Sequence, residues 1–282
     1  MATLPFERMS QFFSDVCNLE ISTGTLCSLL KRFAQKAQPA YELIAQKVEN
    51  ATVVGADETS AKVNGKKGWF WTFQNKFVTY ITFSNNRGTA TIDDNFPNGF
   101  LNAILVHDCW RSYFQVNCKT HQICIPHLLR VLIFFEERYQ SQWAVNFKQL
   151  LLEAIELKRN LTSIQYQNPL LQRDKIMERL SVLLLTSVPK NRKDLSAFHK
   201  RIHKCKEYVF TFLFHEEVPS DNNGSERAIR NVKVKQKISG QFKSFGGAMN
   251  FAILRSITDT AIKNSQNVLK ALFTIARLEV TD

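Results

Sequence analysis

Ala51-Thr-Val-Val-Gly-Ala-Asp-Glu-Thr-Ser60-Ala-Lys-Val-Asn-Gly-Lys-Lys-Gly-Trp-Phe70-Trp-Thr-Phe-Gln-Asn-Lys-Phe-Val-Thr-Tyr80-Ile-Thr-Phe83 is the stretch on which the fold turns. Val53, Val54 and Ala56 make an apolar run that leads into Asp57. Asn64-Gly65 supplies the positive-φ pair that closes a tight hairpin. A second strand, Gly68 to Phe73, alternates aromatic and polar side chains. After a turn near Asn75-Lys76, Phe77 to Phe83 makes a third. Three consecutive antiparallel strands are therefore expected.

Downstream, a short helix around Arg87 to Asp94 precedes a fully apolar strand, Ala103-Ile-Leu-Val-His107, that ends at Asp108. A helix after Asp108, a short strand at Gln122-Ile-Cys-Ile125 and a helix from His127 follow. Three antiparallel strands and then alternating helix and parallel strand is the ribonuclease-H-like order, an α/β fold on a mixed sheet. By analogy with that fold the first and fourth strands lie side by side, which makes Asp57 and Asp108 neighbours.

The hairpin region is flanked by helical sequence. Within residues 1–50, Phe6, Met9, Phe12, Phe13 and Val16 repeat at helical spacing, and after a polar break Leu26, Leu29, Leu30 and Phe33 mark a second helix that Pro39 closes. With Lys31, Arg32 and Lys36 on the later helix, the pair reads either as a helix-turn-helix that meets DNA or as a helical pair packed on the core. Residues 139–215 carry stripes at Phe147, Leu150, Leu151 and Ala154, and at Ile176, Leu180, Leu183 and Leu184. Lys148, Lys158, Arg159, Arg173, Lys190, Arg192, Lys193, Lys200, Arg201, Lys204 and Lys206 concentrate positive charge there. This segment reads as an all-helical insertion between a core over 51–138 and a last helical part over 216–282.

Lys and Arg total 37 against 25 Asp and Glu, a formal charge of +12, which favours a polyanionic partner through counterion release. The start carries Glu7 and no apolar stretch of signal-peptide length, and the greasiest run, Val131-Leu-Ile-Phe-Phe135, is too short to span a bilayer. Six scattered cysteines form no disulfide framework. A cytoplasmic protein with reduced thiols and no membrane partner is expected.

The helix after Pro219 carries the remaining chemistry. Ser220 or Asp221 can cap it, and Glu226, Arg230, Lys233 and Lys237 fall near one face, four, three and four residues apart. A carboxylate beside a basic stripe suits a metal-bound, phosphate-gripping helix; it equally describes a surface helix with a Glu226–Arg230 ion pair. Asp57, Asp108 and Glu226 together offer the hard oxygen donors that suit a pair of Mg²⁺ ions. Cys118, His121, Cys124 and His127 recur every three residues, but a strand running into a helix points them in different directions, so structural roles are expected. Glu58 is expected on the face opposite Asp57. Trp69, Trp71 and Phe73 read as sheet core, although an exposed ring could stack on a base.

Ala56-Asp-Glu-Thr59, His127-Leu-Leu-Arg130, Asn222-Asn-Gly-Ser-Glu-Arg-Ala-Ile-Arg230, Gly240-Gln-Phe-Lys-Ser-Phe-Gly-Gly-Ala248 and Leu254-Arg-Ser-Ile-Thr-Asp-Thr260 together resemble the transposases of the insertion-sequence sixty-six family, from about Leu4 to Leu272. The resemblance implies a ribonuclease-H-like fold with a DDE triad on Asp57, Asp108 and Glu226. It further implies two Mg²⁺ (or Mn²⁺) ions held by that triad, hydrolysis at the element's 3′ ends and strand transfer into target DNA. His127, Arg130, Arg227, Arg230, Lys233 and Lys237 are the expected DNA contacts. The implied partners are double-stranded DNA (terminal inverted repeats and target), further copies in a homo-oligomeric active complex, and accessory transposition proteins, in a bacterial, nucleoid-associated setting. Here the second aspartate is followed by Cys109-Trp-Arg-Ser-Tyr113, where family members usually have a small residue and then Tyr. Relatives also resemble a longer chain with a zinc-binding amino-terminal portion, so a truncated copy that binds DNA without cutting is one alternative. A ribonuclease-H-like resolvase or nuclease is another.

Overall fold

The computed structural model describes residues 4–278, so the first three residues of the expected segment 1–50 and the last four of 216–282 lie outside the described residues. The elements in chain order are α1 (Phe6–Cys17), α2 (Thr23–Lys36), α3 (Gln38–Glu49), β1 (Val53–Val63), β2 (Lys66–Gln74), β3 (Thr79–Ser84), α4 (Ala90–Asn95), β4 (Phe100–His107) and β5 (Cys118–Ile123). Then come α5 (Ile125–Tyr139), α6 (Gln142–Asn160), α7 (Ser163–Gln167), α8 (Leu171–Leu185), α9 (Lys193–Lys204), α10 (Asn223–Ser239), α11 (Phe245–Lys263) and α12 (Val268–Ala276). The strands form one mixed five-stranded sheet in the order β3-β2-β1-β4-β5, antiparallel and then parallel, as a ribonuclease-H-like fold requires. No helix among the described residues is long and apolar enough to cross a membrane.

The chain divides into two compact units. One comprises Met1–Ala103, Gln115–Asn117 and Asn223–Asp282; the other comprises Ile104–Phe114 and Cys118–Asn222. In the first unit the hairpin closes where its turn chemistry demands: Asn64 and Gly65 have φ of 48° and 75°, and Val63 pairs with Lys66. Side chains alternate across the pleat. Ala61 and Val63, on the same face of β1 as Asp57, pack with Phe70, Ile81 and Phe83 against Ala228 and Val232 of α10 and Ala248 and Ala252 of α11. On the other face Trp71 and Phe73 are fully buried, Phe73 lies edge-on to Phe96, and Tyr80 stacks on Tyr41 of α3 at 4.6 Å.

The segment Gly240–Ala248 has a structural explanation. Gly240, at φ 70°, ends α10 in the left-handed region that favours glycine. Phe242 then joins the end of β1: its N–H donates to Lys62 O (2.9 Å), its carbonyl accepts from Asn64 N–H (2.9 Å), and its ring enters the core 5.1 Å from Phe70. The Ser244 hydroxyl caps α11 by accepting from Gly247 N–H.

In the second unit a strap at 209–213 is sewn to β5. The Gln122 side chain donates to Val209 O (3.0 Å) and accepts from Phe212 N–H (2.7 Å), while the Thr211 hydroxyl donates to His121 O (2.6 Å). The helices of 139–215 bury the predicted stripe at Phe147, Leu150, Leu151 and Ala154, together with Ile176, Leu180, Leu184, Leu195, Phe198 and Ile202.

Four local expectations change. Pro39 does not only close α2; it occupies the first turn of a third helix, α3, where a missing N–H is harmless. Asp57 is the fifth residue of an eleven-residue strand rather than its last, because the polar positions Glu58, Ser60 and Lys62 lie on the pleat's other face and do not end it. Asp108 is followed by a short 3₁₀ turn, Arg111–Gln115, in place of an α-helix. β5 begins at Cys118, four residues before the stretch Gln122–Ile125 that signalled it, and ends at Ile123, because Ile125 already opens α5 ahead of Pro126.

Candidate active site

Asp57 projects from β1 opposite Thr72 of β2 and is half-buried. One carboxylate oxygen accepts from the N–H of Glu58 at 2.8 Å. Glu58 turns to the opposite face, as the alternation predicts. There both Nε (3.0 Å) and Nη2 (2.8 Å) of Arg87 donate to the same carboxylate oxygen, and the Glu58 side chain is only 2% exposed. The Arg87 guanidinium also lies over the Trp69 ring at 4.5 Å, with the Lys67 ammonium at 4.7 Å. Of the four aromatic residues in β2, Phe70, Trp71 and Phe73 are core; Trp69 is the half-buried one, and cations cover it.

Glu226 stands in the first turn of α10 and is half-buried. The helix buries Ser225, Ala228, Ile229 and Val232, while Arg227, Arg230, Lys233 and Lys237 are exposed. Since Ala228 and Val232 pack on the Asp57 face of β1, the helix carrying Glu226 covers the strand face carrying Asp57. Gly224 fixes the register of this crossing. A Cβ there would come within 2.6 Å of the Gln74 amide, and Gln74 is the cross-strand partner of Gly55. The start of α10 therefore lies over the part of the sheet that holds residues 55–57.

Behind that contact is a buried charge network that sequence reasoning did not assign. Lys263 donates to Gln74 Oε1 (2.6 Å), to Asn75 O and to Val78 O (3.0 Å), and Arg255 pairs with Asp259 one turn before it on α11. Burial draws the Lys263 ammonium down to about 8; the Asp259 carboxylate opposes the shift and the Arg227 guanidinium adds to it. Burial likewise raises the Asp259 carboxyl, against the fields of Arg255 and Lys263. The signal available in sequence was the spacing of four in Arg255, Asp259 and Lys263.

In the second unit Asp108 follows β4 directly, and one of its oxygens accepts from Trp110 N–H at 3.2 Å. His127 lies half-buried in the first turn of α5 and Arg130 is exposed one turn later. Cys124 N–H donates to His107 O (2.8 Å), tying the start of α5 to the end of β4. Cys118 and His121 turn toward one another (Sγ to Nε2, 3.5 Å), and His121 Nδ1 meets His107 Nε2 at 3.2 Å. Burial pushes the Cys118 thiol up to about 11 and His121 down to about 4, so both are neutral near pH 7.

A family profile described as "Transposase IS66 family" matches residues 1–250. The chain belongs to this transposase family. A DNA-processing enzyme of the transposase class is what that membership means, and the sheet order of this transposase is the one such a fold requires. No curated protein matches the chain.

Proposed function

We propose that this transposase cuts DNA at element ends and joins the freed 3′ ends to target DNA, with Asp57, Asp108 and Glu226 as its catalytic carboxylates. The observation that supports the reading is the crossing of α10, the helix that carries Glu226, over the face of β1 that carries Asp57. The strand order, with β4 beside β1, supports the inclusion of Asp108.

The donor set is chemically suited to Mg²⁺ or Mn²⁺: three carboxylates, hard oxygen donors, half-buried so that water still reaches them, and carried by regular elements or their ends. Two such ions, when bound, supply an activated nucleophilic oxygen and charge stabilisation at the leaving oxygen. Asp57 would serve both, with Asp108 and Glu226 completing one each. The chain's own part is orientation. Arg230, Lys233 and Lys237 extend from Glu226 along the exposed face of α10 and present cations to a phosphate backbone, with Arg227 beside them. His127 and Arg130 do the same from the first turns of α5. Glu58, locked to Arg87 on the far face, is kept out of the donor set.

The duplex substrates are the element's terminal inverted repeats and target DNA, handled in a homo-oligomeric complex with accessory transposition proteins in the bacterial cytoplasm. α1 and α2 would act as a helix-turn-helix reader. The test uses purified protein, labelled element ends and Mg²⁺ or Mn²⁺. Wild type should produce joined products, while Asp57→Asn and Glu226→Gln abolish joining and leave end binding largely intact, because basic contacts dominate binding. Wild-type joining by either variant would remove the triad. Nicking without joining would favour a nuclease, and binding alone a non-cutting DNA-binding protein.

A further inference from the structure

Helix α9 carries a cationic face that the proposed active site does not use. Between Lys190 and Lys206 the chain has seven Lys and Arg against a single acid, Asp194. Leu195, Phe198 and Ile202 are buried, and Lys193, Lys200 and Lys204 fall on the opposite side of the helix, all exposed. Arg201 flanks this stripe with its guanidinium 5.3 Å from the Phe198 ring centre, still exposed. His199, Lys200, His203 and Lys204 line a concavity on the same helix. The one acid is turned to structural use, its oxygens accepting from the Tyr139 hydroxyl (2.8 and 3.0 Å) and from Leu195 N–H (2.9 Å). Among the described residues none of the three lysines forms an ion pair.

The helix also ends at a telling place. Cys205, its C-terminal cap, has its sulfur 3.7 Å from that of Cys109, the residue next to Asp108. The positive field of Arg201 reaches Cys109 as well. At ~1.5 Å per residue the lysine stripe runs for roughly 16 Å and stops beside the loop that holds Asp108. Such a stripe, on a helix that ends beside that loop, matches a phosphate backbone in sign and length.

We propose that α9 is a second DNA interface, a sequence-independent clamp in which Lys193, Lys200 and Lys204 grip the backbone of duplex leading to the Asp108 loop. The inference rests on the reading of this transposase as an enzyme acting on double-stranded DNA, and it adds a site in the helical insertion separate from α10 and α5.

The test is the salt dependence of duplex binding, measured by anisotropy with full-length protein from about 0.1 to 0.5 M salt. The triple variant Lys193→Ala, Lys200→Ala, Lys204→Ala should lower the log–log slope by about 2.7, since each phosphate contact contributes about 0.9. If the affinities converge near 1 M, that slope change corresponds to a roughly 170-fold loss at ~0.15 M. A control variant removes the same charge elsewhere, with Lys47→Ala, Lys175→Ala and Lys270→Ala, all exposed. It should keep the wild-type slope to within about one contact. Both variants should melt like wild type, which separates lost binding from lost folding. An unchanged slope in the α9 variant, or an equal loss in the control, overturns the proposal. Because the readout is binding, it is decided independently of whether strands are joined, and the joining assay decides the reaction.

Discussion

Gly224→Ala tests the contact that registers α10 on the sheet. Replacing a helical glycine by alanine stabilises an interior position by roughly 0.8–1.0 kcal/mol, and less in a first turn, so propensity alone predicts a gain of about 0.5 kcal/mol. Packing predicts the reverse. The new Cβ would sit 2.6 Å from Gln74 Nε2 and 2.7 Å from Oε1. A side-chain tip ordinarily moves aside at little cost, but this one accepts from the Lys263 ammonium at 2.6 Å. Moving Gln74 takes away one of the three acceptors of that half-buried cation, and a hydrogen bond to a charged group contributes about 1.5–3 kcal/mol. Because Asn75 O and Val78 O remain, the lower bound applies, and the net effect is about 1 kcal/mol of destabilisation. For a unit of this size that lowers the melting temperature by about 2–4 °C. The double-mutant cycle with Gln74→Ala isolates the cause: without the amide in its way, Gly224→Ala should become stabilising by about 0.5 kcal/mol. A Gly224→Ala protein that melts at or above wild type in both backgrounds would refute the reasoning.

Gly68→Ala places a Cβ 2.3 Å from Cζ of Phe83, a ring held in the core by Phe70 and Phe245, and should destabilise by about 1–3 kcal/mol. Gly246→Ala, with nothing within 4 Å, should be neutral or slightly stabilising in the same melts. Arg87→Ala leaves the buried Glu58 carboxylate without the guanidinium and should cost about 1–3 kcal/mol by urea denaturation; because Arg87 is itself 46% exposed, the larger penalties of fully buried pairs do not apply. Arg87→Lys should recover less than half, since an ammonium cannot place two N–H groups in the guanidinium's fork. His121 titrates near 4 in the fold because it is buried, against about 6.5 when unfolded. The unfolded chain therefore binds the proton first, and the stability this neutral ring contributes above pH 6.5 is lost as pH falls toward 4. Between pH 7 and pH 5 the loss is about 2 kcal/mol, with burial of His107 acting in the same sense. An equally steep pH dependence in His121→Phe would refute that assignment.

What was legible in the sequence was what local chemistry dictates. Asn64-Gly65 can close only a tight hairpin, and Trp71 and Phe73 of β2 are core as read, whereas Trp69, read with them, is half-buried under cations and Phe70 is buried on the opposite face. β4 was visible as an uninterrupted apolar run ending at Asp108. The misses have physical causes too. β1 continues past Asp57 because polar residues on one face of a strand do not stop it, and no breaker occurs before Asn64. Pro39 read as a stop because a proline that ends one helix is written the same way as one that starts the next. Of the network behind the site only the spacing of four in Arg255, Asp259 and Lys263 was there to be read; its link to the sheet was not. Gln74 and Lys263 lie nearly two hundred residues apart in sequence, and neither residue type announces burial; only the fold makes them partners.

The division of labour along α10 explains why Glu226 was visible from sequence while its support was not. A helix repeats every 3.6 residues, so Ala228 and Val232 can enter the core while Glu226, Arg230, Lys233 and Lys237 stay on another face. The second set is a chemical pattern that any reader of the sequence can find. The first is small and ordinary, yet it determines where Glu226 lies, because an alanine at 228 permits an approach to β1 that a larger side chain would prevent. Ala228→Leu is accordingly a stricter test of the site than any change to its charges. It adds volume between helix and sheet, leaves the basic face intact, and should cost about 1–3 kcal/mol while displacing Glu226 from the Asp57 face. If the proposed triad is right, strand joining should fall far more than duplex binding; joining at the wild-type rate in a folded Ala228→Leu protein would mean that the position of α10 on β1 does not govern the chemistry.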